Sequence, residues 1–332
     1  MTVTSVSPTR SVLADCVRSA TTAPSLHNSQ PWLFRIRGSA VEVYADPGRR
    51  LQVLDTDGRE QLISVGAAVF TLRLALRRAG YASDAALFPR PDDPDLVAVV
   101  TATHSAMVTS GVEALAAAIP RRHTSRWPFA RTSVPADVLD HLRDAARWES
   151  TVLAEAGPAA RDAILHLARS ADHLLHARPG YRDEIARWTG GGLRHDGVPG
   201  WAVGPGDGLE RVPIRNFAEL SPLPRPSEKF EPNPTILVLA TAGDRRCDWV
   251  RAGQALQRVL LAATWKGLAA TPISQPVEVP AMRRLLIDPR AGLTVQMVLR
   301  IGYGTQAGRT PRRPLSDVLL PLPHASRGRA VM

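Results

Sequence analysis

The sequence predicts an α+β fold made of two related halves, and three observations point there. Trp32, Phe34 and Ile36 alternate with other residues, Gly38 supplies a turn, and Val41 and Val43 resume the alternation, the period-two pattern of a β-hairpin. Leu62, Val65, Val69, Leu72 and Leu76 recur every three or four residues and stop at Gly80, as an amphipathic helix does. The phrase LRLALRRAGYAS from Leu72 has a faint echo in RVLLAATWKGLAA from Arg258, each ending an apolar helix in a glycine suited to a left-handed cap.

Taken in order, Ser11 to Thr22 predicts a short helix that Pro24 ends, because a proline disfavours helical geometry in the residue before it. The hairpin and the long helix follow, with Arg73, Arg77 and Arg78 near the helix C-terminus, where they oppose its dipole. A strand over 96–103 closes the first half, 1–118. The second half, 119–332, repeats the order with a helix over 136–147, a strand over 235–241, a helix over 249–266 and a strand over 293–301. Between them, Trp188 to Gly208 is rich in glycine, and so long a loop inside a compact domain implies a function or disorder.

Composition excludes several classes. No run of about eighteen uncharged apolar residues is present to span a bilayer. Arg10 and Asp15 interrupt the N-terminus where an export signal needs an apolar stretch, so a cytoplasmic location is expected. The net charge of +10 is almost all arginine, since Lys229 and Lys266 are the only lysines, and it is interspersed with acidic residues. Without a nucleic-acid-binding motif beside it, that charge predicts no nucleic-acid partner. Cys16 and Cys247 stand far apart and predict two buried thiols rather than a disulfide or thiolate site. His166, His173 and His176 could share a helix face but lack carboxylates or thiolates at matching spacing, so no metal site is expected. Trp148, Trp249 and Trp265 fall at helix-like positions and are expected in the core or at an interface.

Three segments could carry chemistry. APSLHNSQPW, Ala23 to Trp32, sets Ser25, Asn28, Ser29 and Gln30 between two prolines; amide side chains both donate and accept, which suits the edge of a planar heterocycle. The same composition also makes an Asx turn leading into a strand. RRHTSRWPF, Arg121 to Phe129, crowds Arg121, Arg122 and Arg126 around His123 and Thr124; guanidinium forks match phosphate oxygens, though a solvated basic linker has the same charge. GYGTQAG, from Gly302, is followed by Pro311 and Pro314 instead of a helix, which rules out a Rossmann phosphate loop.

APSLHNSQPW resembles the APS-x-x-N-x-QPW segment of nitroreductase-fold flavoproteins, and RRHTSRWPF resembles their R-R-S-x-R-x-F segment. Here the arginine segment follows the APS segment by about a hundred residues, an order similar to the Acg-like single-chain FMN-binding branch. DTDGRE at Asp55 to Glu60, GAAVFTLRLAL, the Trp188-Thr189 loop and RIGYG with its downstream PRRP resemble that branch too.

The resemblance implies a nitroreductase-like fold in which two fused halves mimic the superfamily homodimer, with one FMN site per monomeric chain and further dimerisation possible. Arg122, His123, Thr124 and Arg126, with Arg312 or Arg313, would hold the ribityl phosphate, and Pro24, Ser25, His27, Asn28 and Gln30 would meet the ring. It implies an NAD(P)H-dependent oxidoreductase acting on a nitro, quinone or other small organic acceptor, the flavin carrying the chemistry. The loop from Trp188 to Gly208 resembles that branch's lid, and Trp188 and Trp201 within it are expected as ring contacts or as anchors. A closed lid would make the protein an FMN store with little turnover.

Overall fold

The computed structural model describes residues 7–189, 194–218, 225–305 and 307–322. Helix α1, Arg10–Ala20, starts where the Thr9 hydroxyl accepts from the amide of Val12. Strands β1, Trp32–Arg37, and β2, Ala40–Ala45, form the expected hairpin, with Trp32 opposite Ala45. Helix α2, Arg59–Arg78, begins one turn earlier than its apolar periodicity, because the Asp55 carboxylate accepts from the amides of Glu60 (2.9 Å) and Gln61 (2.7 Å). That cap accounts for the first residue of DTDGRE.

Strand β3, Tyr81–Leu87, precedes β4, Leu96–Ser105, and is an edge strand. Its half-exposed YASDAAL lacks the alternation that makes a strand visible in sequence. Helix α3, Ser110–Ala118, was also unanticipated, being short and largely alanine. Helix α4, Ala136–Arg147, matches its predicted span. Then come β5, Val152–Glu155, α5, Pro158–His176, and α6, Tyr181–Trp188, with a two-residue pairing of β6, Gly206–Asp207, and β7, Ser227–Glu228. Strand β8, Thr235–Thr241, helix α7, Arg246–Trp265, strand β9, Ala269–Pro272, short helix α8, Gln275–Glu278, and strand β10, Thr294–Gly302, complete the second half.

The two four-stranded sheets run β1-β2-β4-β3 and β5-β8-β10-β9, both antiparallel throughout. In each, a 20-residue helix joins the second strand to the third: α2 in one, α7 in the other. These helices pack at backbone contact. A Cβ on Gly66 would fall 2.2 Å from the carbonyl oxygen of Val250, and one on Gly253 would fall 2.0 Å from that of Ile63. The exchange is reciprocal: Val250 enters the apolar core of the first sheet, and Ile63 enters that of the second.

Some expectations are corrected. Trp148 is 74% exposed and Trp265 41% exposed, which rules out the core alternative of the expectation for these two and leaves the interface alternative standing. Cys16 is buried but Cys247 only half-buried, because Cys247 lies on the first turn of α7 near the surface. Among the described residues no helix is long and apolar enough to cross a membrane.

Gly66→Ala and Gly253→Ala should each lower stability by about 3 kcal/mol, since the added carbon meets backbone that cannot step aside. Gly157→Ala, with nothing within 4 Å of the added carbon, serves as the near-neutral control. Denaturant unfolding of the three variants measures this.

Candidate functional site

The segment after α1 makes one tight turn, and His27, Asn28 and Gln30 take φ of 50°, 56° and 50°. Non-glycine residues adopt this region only where neighbours impose it. Here the Gln30 amide donates to the Ser25 hydroxyl (2.9 Å), and the Leu26 amide donates to Ser64 on α2 (3.2 Å). Asn28 donates from Nδ2 to the carbonyls of Gly197 (2.9 Å) and Pro311 (3.1 Å), while its Oδ1 accepts from Arg312 (2.8 Å). Gln30 donates to the His195 carbonyl (2.8 Å) and accepts from the Arg313 amide (2.8 Å). These two amides thus join the turn, the insert and the C-terminal segment.

The arginine segment is laid along β9. The Ser125 amide donates to the Ala270 carbonyl (3.0 Å), and the Thr271 hydroxyl donates to the Ser125 carbonyl. Downstream, Phe129 packs where Gly302 and Gly304 leave room, since a Cβ on either would lie within 3 Å of its ring. Fully buried Arg300 stacks on that ring, 3.7 Å from its centroid, and pairs with Glu231 at 2.6 Å. The glycines of GYG therefore serve packing.

A cleft of about 90 Å³ lies between the halves. Pro24, Ser25 and His27 line it from the first turn, Glu60, Ile63 and Ser64 from α2, and Thr124 and Arg126 from the arginine segment. Thr271 and Met297 of the second sheet complete its wall. Beside it is a basic cavity of about 550 Å³ lined by Thr22, His123, Arg309, Thr310 and Arg312. Arg122 and Arg312 both donate to the Thr22 carbonyl at 3.2 Å, and the Nε atom of each is buried with no hydrogen-bond partner.

Among the described residues, none of Arg122, Arg126 and Arg312 has a carboxylate at ion-pair distance. Burial depresses Arg122 to about 9, helped by Arg312, and depresses Arg126 and Arg312 to about 10 each. His123 falls to about 4 through burial and then Arg122, and His27 is pushed well down by burial, Arg215 and Arg126. Of the residues expected at the site, Asn28, Gln30, Arg122 and Arg313 line neither cavity; Arg122 lies behind the wall, sharing the Thr22 carbonyl with Arg312, and Arg313 turns to Asp46 (3.7 Å) and the Gln30 carbonyl (3.3 Å).

The chain that continues the insert contributes to the cleft wall, by residues beyond the expected boundary at Gly208. Ile214, Arg215 and Phe217 line the cleft; Phe217 meets His27 edge-on at 5.0 Å, and Arg126 lies 4.8 Å from its ring centroid. Arg215 is buried against Glu278 (2.5 Å) and Tyr181 (3.1 Å). Trp188 and Trp201 act as anchors and not as cleft walls: Trp188 is buried among Leu51, Tyr181 and Ile185, and Trp201 packs against Gly308. Residues 190–193 of the expected lid lie outside the described residues. Nothing in VPIRNF, residues 212–217, marks it as cleft-forming except apolar residues flanking an arginine.

Two antiparallel sheets around a shared helix pair, with a cleft that holds Arg126 and Arg215 and is lined by segments from both sheets' sides, define an α+β protein. The Nitroreductase family model matches residues 119–303. A Mycobacterium tuberculosis H37Rv protein provisionally named NAD(P)H nitroreductase Rv3131 is 33% identical over 318 residues, covering 93% of this chain and 90% of its own. The protein of the same strain provisionally named NAD(P)H nitroreductase acg is 32% identical over 332 residues, covering 93% and 96%. A solved structure from Anabaena variabilis, provisionally described as a nitroreductase, matches 88% of this chain and 74% of its own at 12% identity, with a TM-score of 0.47. The chain belongs to the nitroreductase family.

Asn28→Ala should release both the insert and the C-terminal segment, costing about 2 kcal/mol and opening 195–205 to limited proteolysis. Burial raises the Glu60 carboxyl to about 7 against the pull of Arg59. Between pH 4.5 and 7 the folded chain then holds a proton that the unfolded chain has lost. Glu60's contribution is full below that window and disappears as pH rises through it, so Glu60→Gln should flatten the decline in thermal midpoint across that range.

Proposed function

We propose that this chain binds FMN in the cleft between its halves and acts as an NAD(P)H-dependent oxidoreductase on a nitro, quinone or other small organic acceptor. The observation that carries this is a set of three guanidinium groups, that of buried Arg122 and those of half-buried Arg126 and Arg312, that no carboxylate among the described residues meets at ion-pair distance. Burying cations without counter-charge is costly, and the partnerless Nε atoms of Arg122 and Arg312 are donors awaiting an acceptor. A phosphate dianion would supply both the charge and the oxygens.

In this account Arg122 and Arg312, with His123 and Thr124, hold the phosphate and ribityl chain. Pro24, Ser25 and His27 face the ring, and Arg126 places positive charge beside it. Asn28, Gln30 and Arg313 position those residues by tying down their segments. His27, kept neutral, offers one N–H and one lone pair to the ring edge. FMN supplies the electron-carrying chemistry when bound. The provisional names of the Mycobacterium tuberculosis relatives support NAD(P)H as donor.

We further propose that residues 1–118 and 119–332 are two fused, related halves that take the place of a homodimer, giving a monomer with one complete site. Supporting this, the two sheets share strand order, Gly66 and Gly253 stand at the same place in helices of equal length, and their contacts are reciprocal, as across a two-fold axis.

One observation favours flavin storage as a second account. The cleft is smaller than the roughly 300 Å³ at which ligand pockets begin, and Phe217 of the insert stands in its wall. The ring must displace that side chain, and the insert could then close over the face where nicotinamide would stack.

FMN added to the purified chain should bind with a perturbed visible spectrum, and Arg122→Gln or Arg312→Gln should weaken binding about tenfold or more. Anaerobic titration with NADPH and NADH separates the two accounts. Rapid bleaching supports the reductase, a flavin that stays yellow supports storage, and failure to bind FMN overturns both.

A further inference from the structure

A second cavity, of about 530 Å³, opens at the C-terminal ends of α2 and α7, whereas the first cleft uses the N-terminal turns of α2. Its volume falls within the roughly 300–1,000 Å³ of small-molecule sites. One face each of α2, α3, α4 and α7 bounds it, together with the start of edge strand β3. Tyr81, Trp148 and Trp265 line it, and the two tryptophans remain 74% and 41% exposed. Leaving such large aromatic surfaces in water costs free energy that a flat apolar ligand would recover.

Three guanidinium groups also face the cavity, and they are not equivalent. Glu149 pairs with Arg73 (2.8 Å) and Arg258 (2.9 Å), and Arg258 lies 5.5 Å from the Trp148 ring centroid. The guanidinium of Arg77, one helical turn beyond Arg73 on the same face, has no hydrogen bond or ion pair among the described residues. Lys266 lies over the Trp265 ring at 4.7 Å, and His141 is 5.1 Å from that ring. The imidazole is pushed below its ordinary range by burial, then by Lys266, with Asp144 acting in the opposite direction.

We propose that this cavity binds a planar aromatic carboxylate, its ring against Trp148 and Trp265 and its carboxylate on Arg77. Arg77 is the guanidinium here that no described carboxylate meets at ion-pair distance, so it gives a monoanion a direct partner, while Asp144, which also lines the cavity, is held by Arg147 at 2.8 Å. The inference stands on these residues alone and does not require flavin in the other cleft.

Calorimetric titration of the full chain, loaded with FMN if it binds, with 2-naphthoate and with neutral 2-naphthamide tests this. Naphthoate should bind at one site per chain without displacing flavin, and naphthamide about tenfold more weakly. Arg77→Gln should lower naphthoate affinity about tenfold and abolish the difference between acid and amide, and Trp148→Ala should weaken both probes. Both substitutions are at half-buried or exposed positions and should leave the melting temperature and any FMN affinity unchanged. Equal binding of acid and amide, unchanged binding by Arg77→Gln, or displacement of flavin overturns the proposal. So does sedimentation showing that wild type dimerises and Trp148→Ala does not, since the face would then be a contact between copies. A chain that takes up no FMN yet binds naphthoate with this dependence on Arg77 overturns only the flavin account.

Discussion

The contact between Gly66 and Gly253 is the constraint on which the rest of the structure depends. Two long helices can approach to backbone contact only where neither carries a side chain, and each glycine meets the carbonyl of a residue one turn before the other. That closeness lets Val250 cross into one core and Ile63 into the other, so neither half buries its apolar surface alone. It also sets the N-terminal turns of α2 beside Thr271 and Met297 of the second sheet, creating a cleft that no single half possesses.

Around that cleft the chain treats positive charge in two ways. Arg300 and Arg215 are buried but paired, with Glu231 and Glu278, and they anchor the arginine segment and the insert respectively. Arg122 is buried and Arg126 and Arg312 half-buried, none with a carboxylate at ion-pair distance among the described residues, and backbone carbonyls such as those of Thr22 and Ala202 hold them. The paired cations act as structural pins, and the unpaired ones leave an electrostatic demand inside the fold. The same contrast recurs at the second cavity, where Glu149 satisfies Arg73 and Arg258 and leaves Arg77 unmatched.

The parts legible in the sequence were those with strong local periodicity. The hairpin of β1 and β2, the long helices and the apolar strands β8 and β10 all announce themselves through burial on one face or both. Strand β3 did not, because an edge strand with half-exposed small residues has little to alternate. For Trp148 the spacing left core and interface both open, and the structure excludes the core: the side chain stands just past α4 and is 74% exposed. The insert was located by its glycines, but its cleft-facing residues lie beyond them, at Ile214 to Phe217.

By itself the sequence determined the fold class, the repeated helix–glycine–strand order and the two polar segments that frame the cleft, because propensity, periodicity and motif spacing are properties of neighbours along the chain. Only the tertiary structure decided what those polar residues do. Asn28 and Gln30 have side chains suited to a ring edge, yet their partners are Gly197, Pro311, Arg312, His195 and Arg313, all far away in sequence. Whether an arginine is a pin or an open anion site depends on whether a carboxylate lies within about 4 Å in space. That distance is set by which segments the fold brings together, which local sequence does not encode.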